Sequence, residues 1–309
     1  PLDEILKSMG QLRALIGPAA SFGTENSAQV AELSTGPAYA QVLSQLKLNT
    51  LTAPPALTDS ILGLVRQTSS ITDQGVRADL DSSWKTQVYP FCQQALNGRY
   101  PFANSPNEVT IADFTRMFAP DGLLDKFFDK QLKSFIDTQS SPWKPLTSAG
   151  AQPNIAPQTI AFFEQAARIR TYFFQSGSAT PLFTFGVTPQ ELDPGASRVR
   201  LTIDGQSLTY QYGPLQTVQV QWPGNPGGVR VEFGANTMEQ PVSQSFTGPW
   251  ALFRFLAAQK LQKLTANRFN LMVNVGPRSA VFVVDAASVD NPFQRSPLPG
   301  FRCPPTLLR

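Results

Sequence analysis

The chain has 309 residues, 41% of them hydrophobic and 15% charged, with a net charge of +3 and a pI near 9.0. At roughly 150 residues per domain this length predicts two domains, and its zero histidines exclude Ser/His/Asp and Cys/His nucleophile systems, histidine metal sites and histidine pH switches. The 25 Lys and Arg residues form no basic run, so the clustered cations on which phosphate binding depends are lacking and no nucleic-acid partner is expected.

The first half has helical periodicity. Leu2, Ile5, Leu6, Met9, Leu12, Leu15 and Ile16 recur at helical spacing up to Gly17-Pro18, and residues 38–48 repeat the pattern more weakly before Pro54-Pro55. A longer helix is predicted from Thr58, with a break near Gly75, toward Trp84 and Val88. Thr110-x-x-Asp113 resembles a capping box ahead of Phe114, Met117 and Phe118, and Pro120 ends that turn. Asp121 then starts a helix that presents Leu123, Leu124, Phe127, Phe128, Leu132, Phe135 and Ile136 on one broad face. The last helix of this half opens with Pro157 at its first position and runs to about Phe174.

Beyond Ser176-Gly177-Ser178 the apolar period drops from about 3.6 to 2, which places a domain boundary near residue 178. Residues 182–187, 198–203, 207–212, 217–222, 229–233 and 242–246 alternate apolar with polar side chains, as half-buried antiparallel strands do. Asp204-Gly205 between two such runs predicts a type I′ hairpin, because both central residues need positive φ. The glycine-rich stretch from Trp222 to Gly228 is expected to be a hairpin loop. Pro249 opens one helix carrying Trp250, Leu252, Phe253, Phe255, Leu256 and Leu261, with Lys260 and Lys263 at its negative end. Strands at 268–275 and 280–285 follow, and the final twenty residues hold Pro292, Pro297, Pro299, Pro304 and Pro305, which predicts an extended strap. The fold class expected is α+β: an all-helical bundle over residues 1–178, then a β-rich, sandwich-like domain over 179–309 that contains one helix and ends in a Pro-rich tail.

Chemical motifs are sparse. Ser82-Ser83-Trp84-Lys85 and Ser141-Pro142-Trp143-Lys144 satisfy S-x-x-K, in which a lysine one turn after a serine can take its proton, but the companion elements of penicillin-recognising enzymes are missing. Asp121, Asp125 and Asp129 stack at helical spacing and invite a paired-carboxylate or divalent-cation reading, although Lys126, Lys130 and Lys133 on the same helix favour a solvated charged face. Trp250 and its Phe neighbours are expected in the core. No catalytic set, cofactor or metal is expected. No apolar run approaches the ~18 residues that span a bilayer, and Pro1-Leu2-Asp3-Glu4 has neither the cationic start nor the apolar core of a signal peptide, so the expectation is a soluble fragment of a longer protein. Cys92 and Cys303 are expected as two buried thiols, since a chain of this size needs no staple; a disulfide in an oxidising compartment is the alternative.

Three separated groups of residues carry a family resemblance. They are Gly98-Arg-Tyr-Pro-Phe102 with Glu108-Val-Thr-Ile-Ala-Asp-Phe114 and the stretch Phe118–Phe128; Thr247-Gly-Pro-Trp-Ala-Leu-Phe-Arg254, preceded by Tyr210–Trp222 and Pro223-Gly224; and Asn291-Pro-Phe293 with Phe301-Arg-Cys-Pro304. In this order they resemble the periplasmic C-terminal region of the IcmF/TssM family, the inner-membrane core protein of type VI secretion systems. The resemblance implies a non-catalytic periplasmic segment whose membrane helices and NTPase-like region lie upstream. It also implies an outer-membrane lipoprotein, a second inner-membrane core protein and copies of the chain itself as partners.

From turn chemistry and expected exposure, the lipoprotein contact is placed on the β-rich domain at Asp204, Gly205, Gln221, Trp222, Asn225, Phe293 and Phe301. Two rival readings are a cell-wall hydrolase using Asp121 and Asp125 or Ser82 and Lys85, and a carbohydrate-binding module using Trp222 or Trp143.

Overall fold

Our computed structural model describes residues 6–11, 13, 14, 41, 42, 45, 74–146, 154–175, 178–224, 227–235, 240–294 and 296–309. The described chain is α+β, with helices in its N-terminal part followed by a sandwich-like β region that holds one helix. It divides into two compact units, one of Pro1–Pro90, Lys126–Glu164 and Pro304–Arg309, the other of Phe91–Asp125 and Gln165–Cys303. Of the predicted helices over 2–16, 38–48 and from Thr58, most residues lie outside the described ones; 6–11, 13, 14, 41, 42, 45 and 74–88 are helical.

In the first unit the core forms around Trp84, which is fully buried on the π-helical turn Trp84–Val88. Its ring meets Phe127, Phe162 and Phe163 at 5.3, 5.8 and 6.0 Å, and its indole N–H donates to the Pro304 carbonyl at 2.8 Å. The helix expected to run unbroken from Asp121 instead changes pitch twice: α-helix Leu123–Phe127, π-helix Phe128–Leu132 and 3-10 turn Lys133–Phe135. It ends in strand β1 (Ile136–Asp137), paired with β2 (Lys144–Pro145). These pitch changes turn both Leu132 and Ile136 fully inward.

The second unit keeps the caps that the sequence predicts. The Thr110 hydroxyl accepts from the Asp113 N–H at 3.0 Å and starts helix Ile111–Phe118, which buries Phe114, Met117 and Phe118. Pro157, which belongs to the first unit, opens helix Pro157–Phe173. Asp121, expected as a helix start, lies before the helix with φ 59°.

Nine antiparallel strands make two sheets in this unit. Strands β3 (Phe183–Leu192), β6 (Val218–Trp222), β9 (Lys260–Lys263), β10 (Arg268–Val275) and β11 (Arg278–Ala286) lie in the order β6-β3-β11-β10-β9. Strands β4 (Ala196–Ile203), β5 (Gln206–Tyr210), β7 (Gly228–Ala235) and β8 (Val242–Thr247) lie in the order β5-β4-β7-β8. Their inward faces supply Phe183, Phe185, Val187, Val199, Leu201, Ile203, Val231, Phe233, Phe269, Leu271 and Phe282, all nearly inaccessible to water.

Three expectations are corrected here. The stretch from Trp222 to Gly228 is no hairpin loop, because β6 pairs with β3 in one sheet while β7 pairs with β4 and β8 in the other; it crosses between sheets. The helix begun at Ala251 stops at Ala258, and Lys260–Lys263 is the edge strand β9 rather than its C-terminal turn. The Gln259 side chain accepts the Asn274 N–H at 2.9 Å, which draws the chain into the β ladder, and edge lysines discourage pairing with another sheet. Cys92 and Cys303 form a disulfide with Cα atoms 6.4 Å apart, in place of two thiols. Their pairing follows from the strap, whose Gly300 N–H donates to the Phe102 carbonyl at 3.0 Å and leads Cys303 back to the Cys92 helix.

Candidate partner-binding surface

The β4–β5 hairpin positions the first predicted site residues. Asp204 and Gly205 take φ of 48° and 82°, the paired left-handed geometry of the expected turn. This geometry turns the Asp204 side chain inward, where only 5% of it is exposed. One carboxylate oxygen accepts the Gly224 N–H at 3.0 Å and the other the Gly228 N–H at 2.8 Å, while the Asp204 N–H donates to the Gly228 carbonyl at 2.7 Å. Asp204 thus clamps both ends of the crossover. A Cβ at Gly224 would run into Asp204, so the close approach requires glycine there. Burial raises the Asp204 pKa, and the two backbone hydrogen bonds oppose the shift.

Gln206 completes the frame. Its side-chain amide imitates a strand, accepting the Gln221 N–H at 2.8 Å and donating to the Gln221 carbonyl at 3.1 Å, so the backbone of edge strand β6 is paired at that point. Trp222 is fully buried, stacked on Phe183 at 5.2 Å, with its indole N–H on the Pro249 carbonyl at 3.2 Å. Phe293 meets Phe185 edge-on at 5.0 Å, and Phe301 meets Phe118 at 5.0 Å and Phe102 at 5.4 Å.

The seven site residues therefore separate by exposure. Asp204, Trp222, Phe293 and Phe301 are buried and were expected to be exposed; they hold loops and strap in place. The physical reason is that a turn carboxylate with two N–H groups in reach, and large aromatics beside an apolar core, are more stable inward than in water. Gly205 and Gln221 are exposed, and Asn225 lies outside the described residues. Gln221 and Pro223 also line a groove of about 700 Å³, together with Ile111, Thr115, Arg116 and Pro181.

Sequence reasoning missed the β5–β6 connection. Tyr212 and Leu215 are 53% and 56% exposed there, and the Tyr212 hydroxyl lies 2.7 Å from the Asp193 carbonyl, pinning the loop. The Tyr212-Gly213-Pro214 run was the available signal.

Lys85 and Asp125 of the rival enzyme readings are otherwise engaged. Lys85 is held by Asp81 at 2.7 Å, Asp125 pairs with Arg170 and accepts the Asp121 N–H, and Lys133 holds Asp129 at 2.9 Å. Trp143 packs on Phe128 at 5.2 Å. Among the described residues no group of three Cys, Asp or Glu side chains is placed to hold a metal ion.

Two of the resemblance motifs converge. Arg254 pairs with Glu108 at 2.7 Å, donates to the Ser105 carbonyl at 2.9 Å and lies 3.9 Å over the Tyr100 ring, while the Trp250 indole donates to the Val109 carbonyl at 2.7 Å. Residues 76–179 match the type VI secretion protein IcmF helical domain, and residues 185–288 match the type VI secretion protein IcmF C2-like domain. The chain belongs to the IcmF/TssM family. Within that family it is 30% identical to the type VI secretion system component TssM1 of Pseudomonas aeruginosa strain PAO1 over 311 residues, 99% of this chain and 28% of that protein. The chain thus spans little more than a quarter of the length of that relative.

Solved structures from type VI systems share the IcmF/TssM fold seen here. A type VI secretion system membrane core complex matches with a TM-score of 0.76 at 17% identity, covering 100% of this chain and 66% of that one. The TssM C-terminal domain from EAEC matches with a TM-score of 0.66 at 19% identity, covering 75% of this chain and 98% of that one. No helix among the described residues is long and apolar enough to cross a membrane.

Proposed function

We propose that this chain is a non-catalytic structural part of a type VI secretion membrane complex. It is a periplasmic segment that binds an outer-membrane lipoprotein, contacts a second inner-membrane core protein and packs against copies of itself. Residues 1–178 act as a helical spacer and residues 179–309 as the binding head.

The observation that carries this reading is the clamped end of the sandwich. Exposed Gly205 and Gln221 ride on backbone held by buried Asp204 and Trp222 and half-buried Gln206. Loops fixed on a rigid scaffold lose little freedom on binding and so recognise a partner by shape. Support comes from relatives named as type VI secretion membrane complexes and from the Cys92–Cys303 disulfide, which persists in oxidising compartments such as the periplasm.

Gln221 and Asn225 make the direct contacts in this proposal, whereas Asp204, Trp222, Phe293 and Phe301 act by positioning. Calorimetric titration of the chain with its purified lipoprotein tests the assignment. Gln221→Arg and Asn225→Arg should each weaken binding about tenfold with the melting temperature unchanged. Wild-type affinity in both variants would overturn it.

A further inference from the structure

The outward face of the four-stranded sheet carries a pattern that the loop cluster does not use. Pairing places Arg200 opposite Thr209 on β5 and Glu232 on β7, and Thr202 opposite Ser207 and Arg230. On β8, Ser245 lies opposite Arg230 and Ser243 opposite Glu232. Arg198, two residues before Arg200, faces the same way, and all three arginines are exposed. Among the described residues this face presents Arg198, Arg200 and Arg230 on a field of hydroxyl side chains, with Glu232 as its single acid.

Glu232 does not neutralise the face. Arg230 alone bonds to it, at 3.1 Å, and its carboxyl is held below the usual range first by that bond and then by the charges of Arg230, Arg200 and Arg198. The side chains of Arg198 and Arg200 make no hydrogen bond or ion pair among the described residues. Arginines two apart on one strand stand about 6.6 Å from each other and neighbouring strands about 4.8 Å apart, so the guanidinium forks form a fixed array that can take several carboxylates bidentately.

We propose that this face docks an acidic segment of another protein chain, through Arg198, Arg200 and Arg230 to Asp or Glu side chains. Two observations favour protein over membrane. The outward positions hold no apolar or aromatic side chain to insert into a bilayer. The cations are all arginine, the residue enriched at protein interfaces, whereas lysines sit on the opposite sheet at Lys260 and Lys263.

Fluorescence anisotropy of a labelled oligo-glutamate peptide with the full chain tests this, with phosphatidylglycerol vesicles as the second probe. The peptide should bind and weaken with salt. The triple variant Arg198→Gln, Arg200→Gln, Arg230→Gln should lose about tenfold in affinity, the product of three exposed pairs, with its circular dichroism unchanged. The same three positions changed to Lys should fall in between, because the charge stays and the fork is lost. The proposal is overturned if the peptide does not bind, if vesicles bind and the peptide does not, or if Lys260→Glu with Lys263→Glu weakens the peptide as much as the arginine variant.

Discussion

Arg254 and Glu108, 146 positions apart, meet as an ion pair of 2.7 Å with side chains only 25% and 16% exposed. The Tyr100 ring covers the guanidinium, and Gly248, at φ +96°, leaves the room that Glu108 occupies. Removing one partner strands the other in a poorly solvated place. Arg254→Ala is therefore expected to lower unfolding free energy by about 2–3 kcal/mol, read from urea denaturation midpoints, and Glu108→Gln by less, since the amide still accepts a hydrogen bond. A wild-type midpoint in Arg254→Ala would contradict this account.

Tyr100 reports on the same cluster. Burial pushes its phenol from 10.0 to about 12, with Arg254 pulling the other way. A folded pKa above the unfolded value means stability that is complete below pH 10.0 and lost as pH rises toward 12. Melting temperatures across that alkaline range should fall less steeply in Tyr100→Phe than in wild type.

The disulfide closes a loop between residues 211 positions apart, the strap at Cys303 and the helix at Cys92. Chain-entropy arguments give about 5 kcal/mol for so long a loop, and measured values are typically about 2–4 kcal/mol. Cys92→Ser with Cys303→Ser, or treatment with reductant, should lower the denaturation midpoint by a corresponding amount. Reductant should have no further effect on the double variant.

Asp204 gives a pH signature. Its pKa is raised above 3.8 by burial, so its titration contributes stability that is fully present below that value and is lost as pH rises through the raised one. Asp204→Asn keeps one acceptor for two N–H groups and should cost about 1–3 kcal/mol at neutral pH. The gap between wild type and variant should widen as pH falls toward 3.8, measured by thermal unfolding at a series of acid pH values. A gap that narrows on acidification would show that the Gly224 and Gly228 hydrogen bonds outweigh burial and hold the carboxyl below its ordinary value.

Much of this was legible in the amino-acid order because its causes are local. Thr110 caps its own helix within three residues, Pro157 suits a first turn, and Asp204-Gly205 supplies the two positive φ values of a tight hairpin. Alternation along 198–203 or 229–233 needs only the pleat to place its apolar residues inward. The family resemblance was legible for the same reason, as ordered short motifs.

Other features depend on what arrives from far along the chain. The same Asp204 that makes the turn is a buried clamp only because Gly224 and Gly228 come back to it. Trp222, Phe293 and Phe301 have no exposure of their own in the sequence; Phe183, Phe185, Phe118 and Phe102 remove it. Lys260–Lys263 could have continued a helix, and pairing with β10 made it a strand. Two cysteines separated by 211 positions became a disulfide through the course of the strap. Backbone propensity acts over a few residues, whereas burial, strand pairing and cross-linking are settled by which distant groups share the same volume, and packing of the whole chain makes that choice.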